Sequence, residues 1–469
     1  AYVAHSSDML YRNGYAEFIR PGESRDFFTF IHSAGELDST GVSVNTDKRR
    51  IYVDLLSDTV FTINNQYAGN SIGMKKLAHR LAVRKACHEG WLAEHMFIMG
   101  VTPQAKNRVT YFTGAFPSAC GKTSTAMIPG QRIIGDDIAY IREDESASPR
   151  AINIEQGMFG IIEDINPVDD PLLYKTITTP RELIFSNILV NNGRPYWLGM
   201  HEDIPEEGIN YSGNWFKGKK DLSGKDIVFA NKNARFLLRL NEIENSDPAI
   251  EDPDGVPVSG IIYGGRDSDT TVPVCQCFDW NHGVFTGLTL ESETTAATLG
   301  QAGVRKPNPM ANMDFIVIPL REYIQNHIHF GGKLKQQPLV FSVNYFLKEK
   351  GEFINSKLDK KIWLMWMEGR VHSEFNAIKT PVGYIPCYED LKKLFSEIFK
   401  KEFSHETFLK LFSVRVDRYL EKYDRMEKFF QIEGPLPYEM DILLRTIMEE
   451  LNEAKNKTGM DIIPPEMFL

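Results

Sequence analysis

The chain has few cysteines for its 469 residues: Cys87, Cys120, Cys275, Cys277 and Cys387. An odd number so thinly spread excludes a disulfide framework and fits a reducing compartment. Cys275-Gln-Cys277 is poor zinc spacing without a second pair and reads as strand or core. There is no apolar run of the roughly 18 residues that a membrane-spanning helix needs. There is no excess of positive charge either. The net charge of −10 leaves no electrostatic footprint for nucleic acid, so an anionic substrate must be met by a local basic pocket. The first twenty residues are polar and mixed in charge, unlike a signal or transit peptide, and the expected location is cytoplasmic. Internal repeats and low-complexity tracts are absent too. What remains is an ordinary globular composition, 42% hydrophobic and 25% charged, long enough for about three domain equivalents.

The most informative stretch is Phe116-Pro-Ser-Ala-Cys-Gly-Lys-Thr123, which follows the strand-like run Arg108–Ala115 and precedes a short helical segment containing Ser124 to Met127. Strand, tight Gly-Lys-Thr loop and helix start make a phosphate cradle: amides point at an anion, Lys122 adds charge, and the Thr123 hydroxyl can ligate a phosphate-bound Mg²⁺. A simple glycine turn is the competing reading. The usual spacing would put glycine at 116, where this chain has Phe116. A second apolar strand, Arg132–Ile134, runs into Asp136 and Asp137, where a carboxylate would organise a metal or merely occupy a turn.

Elsewhere, residues 1 to about 65 alternate short apolar runs and turns, and Ser71 to about Cys87 has helical periodicity. Short strands and turns then alternate to about residue 290. Residues 291–303 are small and polar and read as a mobile loop. The region from about 388 to 469 is helical, with apolar stripes Leu391, Leu394, Phe395, Ile398, Phe399 and Ile442, Leu443, Ile447, Leu451. These patterns predict an α/β chain with a strand-rich middle and a helical C-terminal region.

The loop at 116–123 resembles the signature of the GTP-class phosphoenolpyruvate carboxykinases. So do Tyr67-Ala-Gly-Asn-Ser71, Glu89-Gly-Trp-Leu-Ala-Glu-His95, Gly135-Asp-Asp-Ile-Ala139, Gly264-Gly-Arg266, Trp280-Asn-His-Gly-Val-Phe285 and Thr380-Pro-Val-Gly-Tyr-Ile-Pro386, in the family's order and near its spacings. The resemblance implies an enzyme that converts oxaloacetate to phosphoenolpyruvate and CO₂. It implies Mn²⁺ on Lys75, His95 and Asp137, with Lys76 the alternative if the register errs by one, and Mg²⁺ on Thr123 and Asp136. Imidazole and carboxylate suit Mn²⁺, and a lysine ligates only when neutral. It further implies substrate contacts from Tyr67, Gly69, Ser118, Asn233 and Arg235, donor-phosphate contacts from Ala119, Cys120, Gly121, Lys122, Thr123 and Arg266, and catalytic roles for Cys120, Lys122 and Arg235. On the resemblance, residues 1–90 become the C-terminal part of an α+β substrate domain, 91–469 a mixed-sheet phosphate-loop domain with 291–303 its lid, and the chain a piece lacking the family's first quarter, so that the missing N-terminal portion counts among its partners. Oligomeric state is not legible.

The resemblance departs at three places. Asp267 stands where the family has a second arginine, Glu291 where it has an arginine at the lid, and Leu347 to Lys361 replaces the phenylalanine-rich guanine clamp with a lysine-rich run. Phosphate ligands without a base slot suggest inorganic diphosphate as donor. Two other readings stand beside it: a GTP-dependent enzyme with a rebuilt base pocket, and a non-catalytic subunit of the same fold.

Overall fold

The computed structural model describes Tyr15, Ile19 and residues 28–39, 43–64, 71–104, 106–118, 120–221, 223–294 and 303–469. The chain divides into two units, Ala1–Ala93 with Asp314–Pro319, and Glu94–Met313 with Leu320–Leu469. No sequence feature announces that Asp314–Pro319 belongs with the first unit.

In the first unit the central strand Thr59–Ile63 pairs in parallel with Thr29–Ser33 and antiparallel with Arg50–Asp54. The helix Ser71–Glu89 follows. Leu77 and Leu81, four apart on one helix face, bury against Val60 of the central strand, the expected fate of an i, i+4 apolar pair. On the same helix Lys76 lies over the Phe315 ring, 5.6 Å from its centroid.

The second unit is built on an eight-stranded mixed sheet. From one edge to the other its strands are Ala377–Thr380, Gly383–Pro386, Val274–Gln276, Leu339–Asn344, Gly260–Gly265, Thr110–Ala115, Met96–Val101 and Arg132–Gly135. Gly260–Gly265 is parallel to both of its neighbours, and the pairings of Met96–Val101 are antiparallel. The three parallel strands are near-continuous apolar runs, as strands covered on both faces must be. Phe112, Ile262 and Phe341 are fully buried in them.

The C-terminal region is helical, with Tyr388–Phe399, His405–Phe412, Val416–Glu433 and Tyr438–Thr458. Leu391, Leu394 and Phe395 are buried as expected. The second stripe is corrected: Met440, Leu444, Ile447 and Leu451 face inward while Ile442 is 42% exposed. Several apolar residues crowd this helix, and tertiary packing rather than periodicity chooses among the possible stripes. Cys275 and Cys277 are buried free thiols beside a core strand, the second pushed up to about 12 by burial. No described helix is long and apolar enough to cross a membrane.

Candidate active site

The sheet order brings the chemistry to one edge. Thr110–Ala115, Gly260–Gly265 and Leu339–Asn344 run in parallel, so the loops after their C-terminal ends emerge together. They carry the phosphate loop, Arg266, and Tyr345 with Phe346. Met96–Val101 runs the other way, pairing Met96 with Ala115, so His95 arrives at the same edge. Arg132–Gly135 reverses again, with Gly135 opposite Ile98, and delivers Asp136 and Asp137 there. Open α/β sheets bind ligands outside the carboxyl ends of their parallel strands.

Phe116 explains the unusual loop spacing. It is 1% exposed and packs between Phe97 and Tyr345, with ring centroids at 5.9 and 6.1 Å. A Cβ on Gly264 would lie 1.9 Å from its ring, so the neighbouring strand must be glycine where the ring crosses it. An apolar anchor beneath the loop has replaced the glycine that elsewhere lets the loop turn. The turn itself falls to Gly121, whose φ of 105° suits a residue without Cβ. The helix that follows is brief, Lys122–Ala126, so the cradle rests on loop amides and Lys122 more than on a helix dipole.

Three predicted side chains meet. His95 Nε2 is 2.8 Å from Asp137 Oδ1, and the Lys122 ammonium bonds the same carboxylate oxygen and stands 3.2 Å from His95 Nε2. His95 Nδ1 lies 3.2 Å from the carbonyl of Ala311. The Ala311 carbonyl and the Asp137 carboxylate both only accept, so each ring nitrogen faces an acceptor to which it can donate when protonated. Asp136 is buried next door. Among the described residues no three His, Cys, Asp or Glu side chains cluster as a metal site; the described donors are one imidazole and one carboxylate. Lys75 is half-buried on the helix of the first unit.

Cys120 is buried, its Sγ 2.9 Å from Ser292 Oγ and 3.4 Å from the Ser118 carbonyl. Burial raises its pKa, against the opposing influence of Ser292 and Arg266, so it sits in the loop as a neutral thiol. Ser118 is exposed and Thr123 half-buried. The Arg266 guanidinium lies 3.7 Å over the Phe346 ring, and burial lowers its pKa without threatening its charge. Arg235 bonds Asn233 Oδ1 and lies over Phe159 at 5.6 Å. Tyr67, Gly69, Ala119 and residues 295–302 of the expected lid lie outside the described residues.

The described ends of that loop are ordered. Glu291–Glu293 and Arg305–Pro307 are paired antiparallel strands, and Glu291 is 5% exposed. It receives two bonds from Arg425, at 3.2 and 2.6 Å. Arg305 joins Glu291, Glu293, Asp267 and Asp269, and these carboxylates push its pKa up against burial. Glu291 and Asp267, which look like lost positive charge in sequence, anchor a buried ion network supplied with arginines from elsewhere. Ser292, Glu94 and Arg305 were missed because their partners lie far off in sequence: Cys120 and Ser292 are 172 residues apart.

The lysine-rich run is also revised. Lys357 pairs with Asp169 at 2.7 Å, Lys360 is buried 3.8 Å from Asp170, and Lys348 lies over Phe353. These three of its five lysines are therefore engaged within the protein. Nor is the aromatic character gone, since Phe346 and Phe353 stand 6.3 Å apart.

Comparison with known proteins identifies the family. Residues 91–450 match the phosphoenolpyruvate carboxykinase C-terminal P-loop domain and residues 1–87 the N-terminal domain. The chain is 53% identical to the GTP-type phosphoenolpyruvate carboxykinase of Pyrococcus horikoshii over 99% of this chain and 75% of that protein. It is 43% identical to that of Saccharolobus solfataricus over 99% of this chain and 74% of the relative. With that of Anaeromyxobacter dehalogenans it shares 35% identity over 82% of this chain and 64% of the relative. The chain spans about three quarters of the length of the first two of these relatives. Each of these relatives carries GTP in its name, which favours the alternative donor over the expected diphosphate. The chain belongs to the phosphoenolpyruvate carboxykinase family.

Proposed function

We propose that this protein is a GTP-dependent phosphoenolpyruvate carboxykinase, which converts oxaloacetate and GTP to phosphoenolpyruvate, CO₂ and GDP, reversibly. The observation that carries the reading is the convergence of His95 Nε2, Asp137 Oδ1 and Lys122 Nζ beside the phosphate loop. Imidazole nitrogen and carboxylate oxygen are donors that Mn²⁺ accepts, so the pair fits that ion; the resemblance adds Lys75 to it, and Thr123 with Asp136 for Mg²⁺. When bound, a divalent ion there supplies Lewis-acid stabilisation of negative charge on the substrate's keto oxygen.

The chain's own groups do the rest. Loss of CO₂ leaves an enolate, whose oxygen attacks the γ-phosphorus of GTP as the bond to the β-phosphate oxygen breaks. Positioning and charge neutralisation dominate such transfers. The loop amides, Lys122 and Arg266 hold the phosphates, and the Asn233–Arg235 pair binds the substrate side. A proton on the enolate carbon would give pyruvate instead, so water must be excluded. The neutral Cys120 thiol, bonded to Ser292, ties the phosphate loop to the strand at the foot of residues 294–303.

For the base, a cavity of about 140 Å³ adjoins the loop's own helix, lined by Ser124, Met127, Leu358 and Phe399, with Asp170 and Lys360 in its wall. Mostly apolar walls with a few polar groups suit an aromatic base. The test supplies oxaloacetate, Mn²⁺ and Mg²⁺ with GTP or with diphosphate and follows products by phosphorus NMR. Saturable formation of phosphoenolpyruvate and GDP is expected. Turnover with diphosphate and none with GTP would overturn the donor, and no turnover with either would favour a non-catalytic subunit.

A further inference from the structure

Behind His95 lies a buried polar cluster that the reaction does not use directly. Glu94, which precedes His95, is completely buried. Its carboxylate accepts from the Tyr323 hydroxyl at 2.6 Å and from Asn312 Nδ2 at 3.4 Å, and lies 3.0 Å from His327 Nε2. Asn312 Nδ2 also donates to the Tyr323 oxygen at 2.9 Å, and His327 Nδ1 is 3.0 Å from the Tyr323 carbonyl. All four side chains are at most 1% exposed except His327, at 2%. Burying a carboxylate is costly unless its oxygens are satisfied, and a half-satisfied network is worse than an apolar core. Such a group is retained where its geometry is needed.

The cluster is laced to His95 twice. Through the main chain, Glu94 sets the position of the next residue. Through space, Asn312 follows Ala311, whose carbonyl receives His95 Nδ1. Met310 and Ala311 are both at positive φ, 55° and 52°. Each such residue costs about 1–2 kcal/mol, and both are buried, at 0% and 4% exposure. Two consecutive strained residues therefore aim one carbonyl at one imidazole, and the Asn312 side chain pins the far end of that strained turn to the carboxylate beside His95.

We propose that Glu94, Asn312, Tyr323 and His327 are positioning residues that hold the His95 ring so that Nε2 meets Asp137 at the metal position. The inference rests on the reading of His95 as a metal ligand. Partners behind a ligating histidine alter metal affinity about 10- to 100-fold when removed.

The probe is Mn²⁺ alone, with free ion counted by electron paramagnetic resonance and thermal unfolding recorded alongside. Asn312→Asp keeps the side chain's shape and removes its donor; Tyr323→Phe keeps the ring and removes one hydroxyl. Mn²⁺ binding should weaken at least about 10-fold in Asn312→Asp and measurably in Tyr323→Phe, with each effect larger than in Asn326→Ala, a control elsewhere on the Tyr323 helix. Unchanged Mn²⁺ affinity in a folded Tyr323→Phe or Asn312→Asp protein overturns the proposal, as does an equal loss in the control. His95→Ala separates the two readings: if it binds Mn²⁺ normally, the ligand assignment itself fails, whereas lost binding there with intact binding in the other variants defeats only the positioning role.

Discussion

Restoring the customary glycine at position 116 should damage this protein rather than improve it. Phe116→Gly removes a side chain that is 1% exposed and packed against Phe97, Tyr345 and the bare face of Gly264. Truncating a buried phenylalanine to alanine costs about 3–5 kcal/mol. Glycine in place of alanine adds roughly 0.5–1 kcal/mol of backbone entropy, so the expected loss is about 4–6 kcal/mol. Against a total stability of about 5–15 kcal/mol that is a severe fraction. The assay is chemical denaturation at equilibrium, comparing Phe116→Gly, Phe116→Ala and Phe116→Leu. The denaturation midpoint should fall in the order Leu, Ala, Gly. Because Tyr345 also touches the Cβ position of Gly121 and bonds Thr125 Oγ1 at 3.1 Å, phosphate affinity should fall with it. A glycine variant with an unchanged midpoint would refute the view of Phe116 as the loop's apolar anchor.

Arg305→Met should destabilise the chain by about 2–4 kcal/mol, since it removes the cation beside the nearly buried Asp267 while Glu291 keeps Arg425; adding Asp267→Asn should recover part of that loss in a double-mutant cycle. His282 is buried, its Nδ1 accepting from the Phe278 amide at 3.0 Å, and burial depresses its pKa to about 4. Between pH 6.5 and about 4 the unfolded chain binds a proton that the folded one refuses. Stability should therefore be intact above pH 6.5 and fall by about 3 kcal/mol as pH drops to 4; an imidazole that titrates near 6.5 by NMR would defeat this. Gly264→Ala should shift the unfolding midpoint sharply downward, and pairing it with Phe116→Leu should moderate the loss, because the added Cβ meets the Phe116 ring.

The phosphate loop was readable from local chemistry, because strand, Gly-Lys-Thr and helix start follow one another in sequence, and the alternation of apolar runs and turns announced a strand-rich fold. These features depend on neighbours in sequence, where hydrophobic period and turn residues act directly. His95 and Asp137 entered the candidate site only through the family resemblance. Features that depend on distant partners were not readable. Phe116 looked like a flaw in a motif until Phe97, Tyr345 and Gly264 surrounded it. Glu291 looked like a missing positive charge until Arg305 and Arg425 closed on it. The run from Leu347 to Lys361 looked like a lost base clamp until Phe346 and Phe353 came together and Asp169 and Asp170 took up Lys357 and Lys360. On the helix Tyr438–Thr458 the choice between Ile442 and Leu444 belonged to the surface it packs against. In each case the free energy of a side chain was decided by what burial placed beside it, since charge pairing, desolvation and cavity filling act over a few ångströms of space, whatever the separation along the chain.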